Sequence, residues 1–334
     1  MKLIINATNV HQGGGRTLLL ALLAATSGPA VALVDHRLTL PVTLPPTLRI
    51  IPVRSTLVSR FMAEKSLPDL CEPDDVLLCF GNLPPLFQTT ARTFVYLQNR
   101  YLTARRSLNG LAWQVRLRVM VERLWLRNCL RGATVMVQSA SVAEEVRTSL
   151  GRDAMVAPFA PQFDAPDLDP PREYDYLYAA SGEGHKNHRR LVEAWEKLAE
   201  LGHFPSLRLT LDESRDFQLL NWVKQRVAKG SLRITNASVE PEAMPDLYGR
   251  SKALIYPSLF ESFGLPLVEA QRAGLDIVAA ERDYVRDLVV PIQTFDPESS
   301  LSIARALLRH SFQDMALQDV PSANAFLAVL LESR

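Results

Sequence analysis

Residues 256–274 read YPSLFESFGLPLVEAQRAG, and the succession of residue types in that stretch decides the fold. An apolar strand-like run, ALIYPS, reaches its end at Tyr256, where Pro257 and Ser258 stop it. Gly264 supplies a flexible turn, and Pro266, whose φ is fixed near the helical value, suits the first position of a helix. A strand that passes through a short loop into a helix is the repeating piece of an α/β domain.

The same piece recurs on both sides. Upstream come YDYLYAAS, the helical LVEAWEKLAEL, LRLTLD, a helix around Trp222, SLRIT and a helix around Leu247; downstream comes the strand in GLDIVAAERDYV. The N-terminal half alternates in the same way, with strand-like runs KLIIN, LRIIPV, DDVLLCF, RTFVYL and ATVMVQS and a long helical stretch from about Leu108 to Arg131. Short apolar runs of this kind are buried strands of a mainly parallel sheet. Between the halves, APQFDAPDLDPPR holds repeated prolines, which suit neither a helix interior nor a central strand. The expected organisation is a first Rossmann-like domain over 1–160, a linker over 161–172, a second Rossmann-like domain over 173–310 and a helical segment over 311–334. Two doubly wound domains then face each other across a cleft, and ligands bind at the carboxyl ends of their strands.

One stretch resembles something else. TLLLALLAATSGPAVALV, from Thr17 to Val34, has the apolar character of a signal peptide or a short span. Its flanks favour a βαβ unit: KLIIN and the glycines 13–15 precede it, and Ser27, Gly28 and Pro29 break it before AVALV. The 334 residues suit about two domains, and 47% apolar with 22% charged residues is ordinary for a globular chain. A net charge of +1 gives no global reason to expect nucleic acid. Cys71, Cys79 and Cys129 form neither a CxxC pair nor a regular framework, so unpaired buried thiols in a reducing, cytoplasmic setting are expected.

The loop at 257–265 also carries chemistry. Free N–H groups at a helix start, with the positive end of its dipole, bind anions. A diphosphate placed there has Glu261 on one side and Glu269, expected in the helix's first turn, on the other. Each carboxylate can accept bonds from polyol hydroxyls. Taken alone the pair is ordinary, because acidic residues are common in first turns.

The pair is not alone. The whole string resembles the E-x7-E signature of glycosyltransferase family 4 and its relatives: Pro-Ser, two residues, Glu, Gly or Ser, Phe-Gly-Leu-Pro, then Glu-Ala. The likeness is dense from about Tyr176 to Asp296 and thin in the N-terminal half. It implies a GT-B fold and a retaining transfer of a hexose from a nucleotide diphosphate sugar, the co-substrate, with no metal or other cofactor. Glu261 is then implied to contact the donor sugar and Glu269 the ribose, with Ser258 in the signature and the backbone of Phe263, Gly264 and Leu265 toward the diphosphate. Lys186, in SGEGHKNHRRLVEAW, matches the family's phosphate-binding lysine. The family's arginine just before that lysine is replaced by Ala180 and Ser181, leaving His185, Arg189 or Arg190 as candidates for the second phosphate charge. His185 and His188 have metal-ligand spacing, but no third ligand stands near them and zinc needs three or more.

In the first half, Gly13 and Gly14 resemble the family's N-terminal glycine loop, and a plain tight turn accounts for them nearly as well. RTFVYL is followed by Gln98 and Asn99 where many relatives carry a histidine, and an amide cannot titrate. Asp167, Leu168 and Asp169 spell the metal-binding DxD of the other glycosyltransferase architecture, but among linker prolines. Arginines 100, 105, 106, 116, 118, 123, 127 and 131 face only Glu122 in their segment. Arg116, Arg123, Arg127 and Arg131 fall on one helical stripe, which suits an anionic membrane surface or equally a solvated basic face. The expected acceptor is a glycan or lipid-linked saccharide, in polysaccharide or lipopolysaccharide synthesis, at or near the inner membrane. The alternative is a catalytically silent nucleotide-sugar-binding partner of an assembly complex.

Overall fold

The computed structural model describes residues 1–104, 108, 112–161, 163 and 171–311. The C-terminal segment 312–334, most of the proline-rich linker with Asp167, Leu168 and Asp169, and Arg105 and Arg106 lie outside the described residues.

The first half forms β1 (Leu3–Ala7), α1 (Gly13–Ala24), β2 (Ala30–Asp35), β3 (Leu48–Val53), α2 (Leu57–Leu70), β4 (Val76–Cys79), β5 (Arg92–Leu97), α3 (Trp113–Cys129), β6 (Thr134–Val137), α4 (Ala140–Leu150) and β7 (Ala154–Val156). Its seven strands are all parallel in the order β3-β2-β1-β4-β5-β6-β7. Burial on both faces explains the unbroken apolar runs: Ile4 and Ile5 of β1 are both wholly buried, and every residue of β2 is buried. The segment that resembled a membrane span is α1 followed by β2, a helix of 12 residues that ends at Ala24 with Gly28 and Pro29 between it and the strand. Among the described residues no helix is long and apolar enough to cross a membrane.

The second half forms β8 (Tyr174–Tyr178), α5 (His188–Glu200), β9 (Leu207–Leu209), α6 (Phe217–Gly230), β10 (Ile234–Asn236), α7 (Met244–Gly249), β11 (Ser251–Tyr256), α8 (Leu265–Arg272), β12 (Asp276–Ala280), α9 (Asp283–Arg286), β13 (Gln293–Phe295) and α10 (Ser300–Ser311). Its parallel order, β10-β9-β8-β11-β12-β13, repeats the first sheet's pattern around a switch point between β8 and β11. On α5 the residues Leu191, Val192, Ala194, Trp195 and Leu198 all face the core. Burying a Leu or Val side chain is worth about 1.5–3 kcal/mol, so this face alone secures the helix to the sheet.

The halves share a core at their junction. Phe263 and Leu265, from the second half, are buried in a cluster with Ile5, Leu18, Leu19, Phe80 and Tyr96 of the first. A Cβ on Gly14 would lie 3.5 Å from Leu265 Cδ1, so α1 abuts the start of α8.

Three sequence expectations are corrected. Gly13 and Gly14 do not form a loop: α1 begins at Gly13, which takes φ +66°, a conformation glycine adopts without strain. Glu269 is the fifth residue of α8, in its second turn, because the helix starts at Leu265 with Gly264 as its left-handed cap. The four arginines do not make one exposed stripe. Arg123 turns inward to donate to the carbonyls of Tyr101 at 2.9 Å and Ala104 at 3.0 Å, and Arg131 follows the end of α3 at φ +42°. Arg116, Arg127 and Arg131 are exposed. The free cysteines Cys71 and Cys79 are buried, and Cys129 is half-buried.

Candidate functional site

The loops after β8 and β11, the two strands flanking the second switch point, are tied together. Leu259 N donates to the carbonyl of His185 at 2.8 Å, and Asn187, held at φ +65°, donates through Nδ2 to the carbonyls of Pro257 and Pro297 at 3.1 and 2.7 Å. Between them sits an ion pair. Lys186 Nζ lies 2.7 Å from Glu261 Oε1 and 2.9 Å from Oε2, and the Tyr256 hydroxyl adds a third donor at 3.1 Å. Glu261 is only 9% exposed, so the lysine is what makes a charge tolerable at that depth.

Ser258 holds this arrangement from behind. It is wholly buried, shares a 3.1 Å hydrogen bond with the Tyr178 hydroxyl, and accepts on its carbonyl from Tyr284 at 2.7 Å. The Tyr178 hydroxyl also donates to the carbonyl of Lys186 at 2.6 Å. Ser258 therefore positions the lysine loop and does not itself face the cleft.

The cleft holds a cavity of about 840 Å³. From the second half, Lys186, Glu261, Phe263, Gly264, Leu265 and Glu269 line it; from the first, Gly13, Gly14 and Gln98 do. Glu269 accepts from the Tyr248 hydroxyl at 2.8 Å, and burial raises its carboxyl above the ordinary carboxylate range. Gln98 is fixed by its Nε2, which donates to the carbonyl of Phe80 at 2.9 Å, while Asn82 Oδ1 accepts from the N–H groups of Gln98 and Asn99.

Of the candidates for a second phosphate cation, the structure brings none to the cavity wall. Arg190 is exposed on α5 and pairs with Glu193 at 3.2 Å, because helix periodicity turns it toward solvent. Arg189 stacks over Trp222, 4.7 Å from its ring centroid. His185 lies in the single turn Gly184–Lys186 and is outside the cavity lining, while the His188 ring is buried against Tyr178 at 4.7 Å. Arg215 and Arg272 line the cavity instead. Arg215 follows β9, at a strand's carboxyl end where ligands gather, but no motif in the sequence singled it out. Among the described residues there is no group of three or more His, Cys, Asp or Glu side chains that could hold a metal ion.

Residues 162–311 match the family model for glycosyl transferases group 1. The second half of the chain is thus similar to the group 1 glycosyltransferases. The chain is 26% identical over 149 residues to the O-antigen chain mannosyltransferase B of Escherichia coli, a match spanning 44% of this chain and 39% of that protein. Among solved structures, Anabaena HepE in complex with UDP and glucose superposes with a TM-score of 0.69 at 15% identity, covering 94% of this chain and 90% of that one. WaaG, a glycosyltransferase involved in lipopolysaccharide biosynthesis, gives 0.60 at 15% identity over 94% and 92%. The architecture that the chain shares with these structures is GT-B.

Proposed function

We propose that this chain transfers a hexose, with retention, from a nucleotide diphosphate sugar to a glycan or lipid-linked acceptor in cell-surface polysaccharide or lipopolysaccharide synthesis. The observation that carries the proposal is the Lys186–Glu261 pair, set where the loops after β8 and β11 meet the start of α8 at a cavity between two sheets. The E. coli relative and WaaG, by their names, support the pathway class, and the UDP and glucose bound to HepE support the donor class.

On this proposal the donor's diphosphate lies at the N-terminal end of α8, against the backbone of Phe263, Gly264 and Leu265. The acceptor hydroxyl oxygen bonds to the anomeric carbon as the bond from that carbon to the phosphate oxygen breaks. The bond pair leaves on the diphosphate, which also accepts the hydroxyl proton. Charge thus builds on the leaving group, and Lys186 with Arg215 supplies the positive field there without a metal. Glu261 receives hydroxyls of the donor sugar and Glu269 those of the ribose. No titrating base is needed where Gln98 stands.

The test is a thermal-shift screen of UDP- and GDP-sugars followed by turnover with the stabilising donor. Stabilisation with hydrolysis or transfer that falls about 10²-fold in Lys186→Ala supports the proposal. Stabilisation without turnover on any acceptor would mark a silent binding partner instead.

A further inference from the structure

Lys186, Arg215 and Arg272 are the cations among the described residues that line the donor cavity, and they are not equivalent. Arg272 is committed to the chain itself, donating from Nη1 to the carbonyl of Pro161 at 2.7 Å. Arg215 has a side chain 55% exposed and stands 3.6 Å from Asp216, so water screens its charge. Lys186 is the buried cation of the three, with its side chain 16% exposed, and it is already occupied. An ammonium has three N–H donors, and here both carboxylate oxygens of Glu261 accept from it, at 2.7 and 2.9 Å. An entering diphosphate therefore competes with Glu261 for the cation that the site holds most deeply.

The main chain leaves that competition to the side chains. On one side Leu259 N donates to the carbonyl of His185 at 2.8 Å, and the Tyr178 hydroxyl donates to that of Lys186 at 2.6 Å. On the other, Arg100 Nη1 donates to the carbonyl of Glu261 at 3.2 Å. If the ammonium turns to a phosphate, the buried Glu261 carboxylate keeps the Tyr256 hydroxyl, at 3.1 Å, as its donor. One neutral donor is poor compensation for a buried charge. A sugar on the diphosphate brings hydroxyls that can donate to the carboxylate, whereas a free nucleoside diphosphate brings none.

We propose that the Lys186–Glu261 pair makes the site tell a loaded donor from a spent nucleotide. The proposal rests on the donor reading given above and adds a discrimination to it. With the sugar present, its hydroxyls satisfy Glu261 and release Lys186 to the diphosphate. Once the sugar has gone, Glu261 reclaims the ammonium, and the product nucleoside diphosphate is held less tightly than the substrate was. Discrimination is a difference of two affinities, and part of this one comes from a penalty on the wrong ligand.

The test is calorimetric titration of UDP and GDP into wild type, Glu261→Gln, Lys186→Met and Lys186→Met/Glu261→Gln, with circular dichroism to check folding and Glu261→Ala as a second way to remove the carboxylate. Glutamine keeps the shape and the bond from Tyr256 but has no charge to hold the ammonium, so the free nucleotide is expected to bind about tenfold tighter in Glu261→Gln. On the Lys186→Met background the same substitution should change affinity by less than about threefold, because there is no ammonium to release. Whichever UDP- or GDP-sugar stabilises the wild type should change less in Kd than its free nucleotide does, so its advantage over that nucleotide shrinks. Unchanged or weaker nucleotide binding in Glu261→Gln overturns the proposal. So does an equal tightening without Lys186, which would make Glu261 a plain repulsive charge beside the phosphates. Failure of UDP and GDP to bind any of these proteins is a different result, which sinks the donor reading and this proposal together.

Discussion

The guanidinium of Arg100, on the loop after β5, donates to the main-chain carbonyl of Glu261 at 3.2 Å. Its other bonds go to Glu145 at 2.8 Å on its own side and to Asp283 Oδ1 at 3.1 Å on the far side, while its main-chain N–H donates to Ser262 Oγ at 3.1 Å. One arginine, 5% exposed, therefore holds the loop bearing Glu261 against the first sheet.

Arg100→Ala leaves two carboxylates facing each other without their shared cation. Asp283 is 44% exposed and Glu145 22%, so water screens part of the loss. A fall of about 1–3 kcal/mol is expected, read as a shift in the urea midpoint. Arg100→Lys keeps the charge but cannot reach Glu145, Asp283 and the Glu261 carbonyl together, and is expected to lie between. Nucleotide affinity should weaken several-fold in both, because the Glu261 loop loses its tether. Unchanged midpoint and affinity would show the contact to be idle.

Lys186 and Glu261 separate stability from chemistry. Lys186→Met strands a mostly buried carboxylate with only the Tyr256 hydroxyl as donor, a loss of about 2–4 kcal/mol at neutral pH. Lys186→Met/Glu261→Gln removes the unpaired charge and should recover most of that stability. Turnover should stay at least 10²-fold down in both, since each lacks the Lys186 ammonium and Arg215 alone faces the leaving diphosphate. Recovery of turnover in the double variant would remove Lys186 from the mechanism.

Lys186 and Glu261 were each singled out in the sequence through the family resemblance, but their pairing was not, because it arises where the loops after β8 and β11 meet. Both sheets were legible, because buried parallel strands advertise themselves as apolar runs. Arg100 and Arg215 were not, since their roles arise from the meeting of distant loops and no local spacing encodes that. The glycines 13–15 misled because a run of glycine reads as a turn, whereas packing of Leu18, Leu19 and Leu23 pulls the helix back to Gly13. Arg123 misled because periodicity gives a face but not the carbonyls of Tyr101 and Ala104 that wait beneath it.

Glu269 should make nucleotide binding depend on pH. Burial favours its protonated form, with the Tyr248 hydroxyl and Arg272 only partly offsetting this. Ribose hydroxyls donate to the ionised form, so affinity should strengthen as pH rises through the raised carboxyl range and weaken below it. Without ligand the sign reverses: a raised native pKa makes stability fall as pH rises through the same range. Calorimetric titration with UDP and GDP from pH 5 to 7.5 should show the trend in wild type, and weaker, pH-flat binding in Glu269→Gln. A parallel slope in both would move the titrating group elsewhere.

His188 sets a second pH dependence, of opposite sign and away from the cavity. Its ring is 3% exposed against Tyr178, and burial, helped by the charge on Lys186, pushes its pKa down to about 3. An unfolded histidine titrates near 6.5, so from there downward the unfolded chain binds a proton that the native state refuses. The stabilisation is complete above about pH 6.5 and is lost as pH falls, by roughly 2 kcal/mol at pH 5. His188→Phe keeps an aromatic ring beside Tyr178 and removes the titration. Subtracting its urea midpoints from those of the wild type cancels the contribution of carboxylates that burial raises, Glu269 and Glu64 among them. The difference should grow steadily from pH 6.5 to 5; a difference that does not change with pH would mean that the ring is protonated in place and that its burial is relieved by movement of α5.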